Sequence, residues 1–368
     1  MSEIKVNSIK GVSATSAAIS INNTDGSCSV NNTKRQGKNL IINGDMRIAV
    51  RATSSTSNGY QTVDRYKMET SNITHNSTKS RQDLSSSDTG PYEEGFRNYA
   101  RIALSQAGVV ASNSAVEIQQ RIEAQNVASS GWNYTSSSSN ISVQFWFRCS
   151  TNQTFYGTLY SFDGTAQMYT FSFTASGNNT WTKITKTISG NSNLQFDNNT
   201  GAGLQLKLIG FYGTDYTNNK TLDQWAANDG ANQMPDMAST WLTAGASTFD
   251  VTGIQLEVGD TPSDFQHEDF DENLSRCQRY FIKHTLVSGA ATAYNAHSDG
   301  YRWWVSFSKQ MRDTPTMTSS GGSDGGSNAS FNIVYVSKEG YTARIESTTT
   351  SSSVVWYYGA TVLAVSEI

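Results

Sequence analysis

Few side chains in this sequence have the types and spacing that catalysis or metal binding requires. Residues Gly321–Gly325 match the GxSxG pattern of a serine nucleophile elbow, which requires a strand before it and a helix after it. Here a Ser- and Gly-rich segment flanks the pattern on both sides instead. The four histidines are scattered and form no HExxH motif. The acidic residues of 268–272 suit a helix N-terminus and do not single out a carboxylate pair for glycoside hydrolysis. We therefore predict that the protein is not an enzyme.

Binding is the chemistry that the sequence favours, and Trp304 is its strongest candidate. The odd-numbered residues of 301–307 are Tyr, Trp, Val and Phe, which places them on a core face and puts Trp304 with Arg302 on the opposite face. An outward indole is unusual, and sugar rings stack their apolar faces on indoles. Tyr294 and Tyr357 are further receptor-binding candidates. Alternatively, Trp304 packs between subunits, where large aromatic residues are enriched.

The elements that must position these residues are β-strands, as the composition of the 368 residues indicates. Charged residues make up 16% of the chain, against about 25% in ordinary soluble domains, while 11% are aromatic. The net charge of −4 argues against a nucleic-acid partner. The chain lacks a run of about 18 apolar residues, so we expect no transmembrane segment. Its polar start predicts no signal peptide. Cys28, Cys149 and Cys277 are too scattered for a disulfide framework or a zinc site.

The apolar pattern predicts an all-β protein, in which two regions of β-strands precede a linking helix. Short alternating stretches within 1–37 indicate strands too few to bury a core alone, so we expect an attachment and trimerisation segment or, alternatively, edge strands of the next domain. Residues 38–268 contain many strands with period-2 alternation separated by Ser/Asn/Gly turns. This spacing predicts a β-sandwich of jelly-roll type, with one face of each strand in water and a short helical piece over 222–228.

A helix and a second β-region follow. Apolar residues at Leu274, Cys277 and Phe281 share one helical face, and this spacing predicts a linking helix over 269–283 with acidic residues in its first turn. Alternating aromatic and β-branched residues then predict a C-terminal β-domain over 284–368, which we expect to be the receptor-binding tip.

Several unusual strings occur in a characteristic order along the chain. They are NLIINGDMRIAVR (39–51), GYQTVDRY (59–66), FDVTGIQLEVG (249–259), LSRCQRY (274–280) and MRDTPT (311–316). Together they resemble a family of phage tail fibre and virion receptor-binding proteins of the marine (cyanophage- or pelagiphage-like) type. No motif of that family is apparent after Thr316.

The resemblance implies a structural virion protein on the phage tail, assembled in the host cytoplasm. The fibre would be a homotrimer that attaches through its N-terminus to tail nozzle or adaptor proteins. Its tip would adsorb to a host cell-surface polysaccharide or lipopolysaccharide. Two other functions remain open: a carbohydrate-binding accessory module of a secreted system and, less favoured, a capsular depolymerase, for which no β-helix repeat is apparent.

The predicted sandwich also resembles carbohydrate-binding modules of jelly-roll type. That resemblance implies a structural calcium ion between the first and last strands, held by Asp45 and Glu257 with Asp250 as a further ligand, because calcium prefers clustered oxygen ligands. The alternative is that Glu257 simply faces water on its strand.

Overall fold

A computed structural model describes residues 6, 8–9, 19–22, 24–30, 39–74, 76–285, 289–292, 301–325, 329–347 and 354–368. The chain divides into two compact units, Met1–Lys38 and Asn39–Ile368. The first unit contains a three-stranded antiparallel sheet in the order β1 (Ser8–Ile9), β2 (Ile19–Ile21) and β3 (Cys28–Val30). Its role in attachment or trimerisation remains a prediction.

The second unit begins with a sandwich of two six-stranded antiparallel sheets, which confirms the predicted all-β class. The first sheet contains, in spatial order, β14 (Trp225–Ala227), β11 (Gln167–Phe173), β10 (Phe155–Ser161), β13 (Ala202–Tyr212), β8 (Ala115–Glu123) and β5 (Lys67–Ser71). The second contains β12 (Thr182–Ser189), β9 (Asn140–Cys149), β15 (Ser247–Val258), β7 (Asn98–Leu104), β6 (Ser77–Asp83) and β4 (Ser54–Ser55).

Phenylalanines from both sheets meet at the centre of the sandwich. The Phe147 ring on β9 lies 5.0 Å from that of Phe173 on β11 and 4.9 Å from that of Phe249 on β15, measured between centroids. The Phe145 ring lies 5.2 Å from Phe173 in an edge-to-face arrangement. These rings are almost fully buried, and edge-to-face pairs of this kind add to the stabilisation that burial alone provides. The sandwich core therefore has a large aromatic centre.

The outward side of the second sheet is covered at its middle strands, contrary to the expectation that it faces water, whereas on edge strand β12 residues such as Lys183 and Thr185 are exposed as expected. Gln144 and Gln255 are 3% and 1% exposed, and both donate hydrogen bonds to the Ser263 carbonyl of the segment after β15. Period-2 alternation identifies the two faces of a strand, but it does not show which loop will fold over the polar face.

In the described part of the chain, three helices interrupt the strands: α1 (Ala124–Ala128), α2 (Thr240–Thr243) and α3 (Phe270–Gln278). The linking helix α3 is shorter than the predicted 269–283, because Phe281 pairs with Val365 and begins a strand instead of completing the helical face. The helical piece expected over 222–228 is wrong, since Trp225–Ala227 form edge strand β14. No helix in the described part of the chain is long and apolar enough to cross a membrane.

The terminal region contains two further antiparallel sheets. One has β22 (Val354–Val365) paired with β16 (Phe281–Thr285), β17 (Gly289–Thr292) and β19 (Thr316–Ser323). The other has the order β18 (Tyr301–Ser306), β21 (Gly340–Ser347) and β20 (Ala329–Val336). Their inner faces share a small core that includes Phe307, Tyr341 and Val362.

A buried set of charged groups joins the sandwich to the terminal region, and we call it the joint. Glu367, near the chain end, accepts hydrogen bonds from Arg65 and from Arg51, the latter at 3.0 Å. Arg51 also donates to Asp64 at 3.1 Å. The Arg65 guanidinium, 1% exposed, lies 3.4 Å from the centroid of the Tyr280 ring. Buried charges require such pairing to offset the loss of water.

Glu123 is a second part of the joint. Its carboxylate is fully buried and accepts two hydrogen bonds from Arg279, at 2.7 and 2.8 Å, and one from the Tyr280 hydroxyl at 2.6 Å. Arg312 donates to the Thr200 carbonyl of the sandwich at 3.0 Å. Most of the strings on which the sequence resemblance rests therefore contribute residues to this joint.

Candidate functional site

The exposed side of the β18–β21–β20 sheet carries the strongest candidate site. Strand pairing sets Trp304 of β18 opposite Thr342 of β21, and Val334 of β20 lies opposite Thr342 on the other side. Tyr341 and Ala343 are buried in the terminal core, so their neighbour Thr342 points to the other side of the sheet. We call this outward surface of the three strands the Trp304 face.

Trp304 is half exposed and lies over a glycine. Trp304 is 50% exposed to solvent, and its indole Nε1 donates a hydrogen bond to the Ser306 hydroxyl at 3.0 Å. A Cβ atom at Gly340 would come within 2.7 Å of the indole Cζ2. The absence of a side chain at Gly340 therefore gives the indole room to lie close to the sheet, while the hydrogen bond to Ser306 orients it.

Polar groups lie on the same face, on the other side of the Trp304–Thr342 pair from Gly340. In register, Arg302 is opposite Arg344, and Arg344 is opposite Asn332. Arg344 Nη2 lies 3.1 Å from the Glu346 carboxylate, which also accepts from Asn332 Nδ2 at 2.7 Å. A flat apolar ring on the same face as guanidinium, amide and carboxylate groups is a combination that can recognise a sugar by stacking and hydrogen bonding.

Tyr335 is a candidate that sequence reasoning missed. It is 73% exposed and has a φ of 50°, at the point where the pairing of β20 with β21 shifts between Val334 and Val336. A left-handed backbone is costly for an aromatic residue, and strain of this kind is often retained at functional sites. The bulge projects a second aromatic ring from the sheet, two strands from Trp304. No local sequence signal marks this bulge.

Of the other predicted receptor-binding residues, Arg302 shares the Trp304 face, Tyr357 lies elsewhere and Tyr294 falls outside the described residues. Tyr357 packs between the terminal sheets, with its ring centroid 5.8 Å from that of Phe331, and donates to the Gly321 carbonyl at 3.2 Å. It therefore does not belong to the Trp304 face. Tyr294 lies outside the described residues. Arg302 is exposed and shares the outward side of β18 with Trp304.

The structure does not assemble the predicted calcium ligands. Both oxygens of the fully buried Asp250 are engaged by guanidinium groups, at 2.7 and 2.8 Å from Arg101 and 2.9 Å from Arg148. Asp45 accepts from Asn273 Nδ2 at 3.0 Å. Within the described residues no group of three or more His, Cys, Asp or Glu side chains is arranged to hold a metal.

Glu257 also differs from both sequence interpretations. It is 1% exposed, so it does not face water, and its carboxylate accepts from the backbone and hydroxyl of Ser263 and from Gln255 at 3.0 Å. It fastens the segment after β15 onto the sheet. The residues Asp45, Asp250 and Glu257 therefore do not fit a common calcium ion, since protein donors already surround them separately.

No family model and no curated protein matches the chain. Solved structures with similarity include the enzymatically active domain of tailspike protein 4 of bacteriophage CBA120, at 9% identity and a TM-score of 0.30, over 60% of this chain and 21% of that one. A family 4 carbohydrate-binding module has 11% identity and a TM-score of 0.29, over 59% of this chain and 98% of the module. A family 11 module from Clostridium thermocellum, in complex with a β-1,3-1,4-mixed-linked tetrasaccharide, has 9% identity and a TM-score of 0.26, over 55% and 95%. The match spans about a fifth of the tailspike domain, and at these scores none of the three assigns a function.

Proposed function

We propose that the protein is a non-enzymatic phage tail fibre that adsorbs to a glycan on the host surface through its Trp304 face. The observation that carries the glycan-binding part is the half-exposed indole of Trp304, which lies over Gly340 on a face that also bears polar side chains. The fibre assignment is supported by the ordered sequence strings, which resemble tail fibre proteins.

The physical basis of binding is burial of the indole by a sugar ring. Covering the exposed half of Trp304 contributes about 0.8–1.5 kcal/mol, since burying a whole large apolar side chain contributes about 1.5–3 kcal/mol. Hydrogen bonds from the neighbouring polar residues then select the sugar. A single site of this strength binds weakly, and a homotrimer would raise the overall affinity by presenting three sites at once.

The deciding experiment is Trp304→Ala measured on an array of bacterial surface polysaccharides. Loss of the stacking contribution is expected to weaken binding at each site by about 4- to 13-fold, with a larger drop on the multivalent array. Tyr358→Ala is the matched control, because Tyr358 is 47% exposed and lies on the other terminal sheet. Normal binding by Trp304→Ala, or an equal loss in both variants, would show that the Trp304 face is not the receptor site.

Assembly and the absence of catalysis are tested separately. Light scattering of the full chain should give the mass of three subunits, and a single-chain mass would contradict the trimer. Incubation with each bound polysaccharide should release no new reducing ends, whereas release would favour the depolymerase alternative. Dissociation of the trimer in Trp304→Ala would assign the residue to a subunit interface.

A further inference from the structure

A cleft of about 640 Å³ lies between the sandwich and the terminal region, away from the Trp304 face. One wall comes from the sandwich segment that contains Tyr60 and Gln61, and the other is the outer face of the β16–β22 pair. This volume is within the range of small-molecule sites, which are typically about 300–1,000 Å³. The cleft thus has the size of a ligand site.

The strand register builds an apolar floor. Phe281 pairs with Val365, and Lys283 pairs with Leu363, so these four side chains lie on the same face of the two strands. Leu363 and Val365 are only partly buried. The floor therefore presents apolar side chains, with the Lys283 ammonium beside them.

Polar groups form the opposite wall. The Tyr60 hydroxyl donates to the main-chain oxygen of Ile368 at 2.8 Å, which fixes the ring and leaves the phenol oxygen as an acceptor. Burial, aided by the nearby Glu367 carboxylate, raises the pKa of Tyr60, so the phenol stays protonated at neutral pH. The side chain of Gln61 adds a polar amide to this wall.

The charges around the cleft favour an anion. Arg51 lines it, but its guanidinium is stacked 3.7 Å from the centroid of Phe281 and is paired with Asp64 and Glu367. Lys283 is exposed, and no ion pair of it is present among the described residues. Among the described residues, no acidic side chain lines the cleft. Lys283 therefore supplies a positive charge that no described carboxylate pairs with.

We propose that this cleft binds a sugar residue that carries a carboxylate. The sugar's C–H face would lie on Leu363 and Val365, its hydroxyls would bond to Tyr60 and Gln61, and its carboxylate would pair with Lys283. A charge-assisted hydrogen bond of this kind is stronger than a neutral one and gives selectivity over uncharged sugars. The site contains none of the Trp304-face residues, so the two proposed sites can be tested independently.

The test is calorimetric titration of the full-length protein with trigalacturonate and with neutral galactotriose. We expect trigalacturonate to bind at least about tenfold more tightly, with an affinity that falls as salt is raised. Lys283→Gln should remove this preference, and Gln61→Ala should weaken binding from the opposite wall. Lys309→Gln is the matched control, because Lys309 is an exposed lysine elsewhere in the terminal region.

Equal affinity for the two trisaccharides, or no binding of trigalacturonate, would overturn the proposal. An equal loss in Lys283→Gln and Lys309→Gln would also overturn it, since it would indicate a general charge effect. Trp304→Ala, titrated in parallel, should leave trigalacturonate binding unchanged. A loss of that binding in Trp304→Ala with none in Lys283→Gln would place the acidic sugar on the Trp304 face instead.

Discussion

The sandwich and the terminal region use their large apolar residues in opposite ways. In the sandwich, aromatic side chains such as Phe147 and Phe249 are completely buried between the sheets. In the terminal region, Trp304, Tyr335 and Tyr358 are between 47% and 73% exposed, around a much smaller core. The sandwich is therefore built as a scaffold, whereas the terminal region leaves aromatic surface available for contact with another molecule.

The same contrast holds for polar groups. Polar residues on the outer side of the sandwich, such as Gln144 and Asp250, are buried and bonded within the protein. On the Trp304 face, Arg344 and Asn332 remain partly exposed. Because buried polar groups must be satisfied internally, the sandwich has little freedom to bind through them. The exposed polar and aromatic groups of the terminal region and the cleft beside the joint are therefore the sites that we propose for recognition.

The largest expected effect comes from the sandwich core. Phe147→Ala should lower the free energy of unfolding by about 3–5 kcal/mol, because the lost ring leaves a cavity among tightly packed phenylalanines. The measurement is denaturant unfolding followed by circular dichroism. Phe307→Ala, in the smaller terminal core, is the comparison variant and should cost less. Equal losses would show that the two cores are equally well packed.

The joint should come next. Glu123→Ala leaves Arg279 without its buried partner and should destabilise the protein by about 3 kcal/mol. Glu69→Ala, which removes a half-exposed ion pair with Lys67, is the control and should cost less than about 1 kcal/mol. If Glu123→Ala unfolds on heating in two separate steps, the contact of Glu123 with Arg279 couples the sandwich to the terminal region. Equal destabilisation by Glu123→Ala and Glu69→Ala would contradict this coupling.

Glu123 also predicts a pH dependence. Burial by itself would raise its pKa, but the hydrogen bonds from Arg279 and Tyr280 outweigh burial and lower the pKa. The stabilisation is therefore complete above the unfolded-state pKa of about 4.3 and is lost as the pH falls through the lower folded-state pKa. Unfolding measured across this range should be less sensitive to acid in Glu123→Gln than in the native protein. An unchanged acid dependence would exclude Glu123 as its source.

Tyr335 offers a smaller effect of opposite sign. Tyr335→Asn should stabilise the protein by about 1 kcal/mol, because asparagine tolerates the left-handed backbone better than tyrosine does. Polysaccharide binding, measured on the same array, should weaken if the ring contacts the glycan. A fall in stability would instead show that the exposed ring packs favourably on the sheet.

Removal of residues 1–38 should have the smallest effect on the stability of the remainder. The second unit begins at Asn39, whose amide oxygen accepts hydrogen bonds from the backbone of Ile41 and Leu256 within that same unit. Residues 39–368 should therefore melt at nearly the temperature of the full chain, while light scattering should show loss of the trimer. Insolubility of the shortened chain would indicate that the first strands complete the sandwich.

Local patterns predicted those features that depend on neighbouring residues. Period-2 alternation identified the strands around Phe145 and Phe171, and the same rule placed Trp304 opposite the core-facing residues of β18. The helix start near Asp269 followed from the acidic first turn. The end of the helix was not predicted correctly, because Phe281 also fits the apolar face of a helix. Its pairing with Val365 places it in a strand.

What the sequence by itself determined is the all-β class, the order of the strand-rich regions and the outward position of Trp304, since each follows from alternation along a single segment. Only the tertiary structure decided that Asp250 pairs with Arg101 and not with a metal, that Glu367 reaches Arg65, and that a bulge exposes Tyr335. These outcomes depend on residues far apart in the chain or on pairing between strands. A buried charge must be paired, and its partner can lie far away in the sequence. Local periodicity therefore does not predict which residue that partner is.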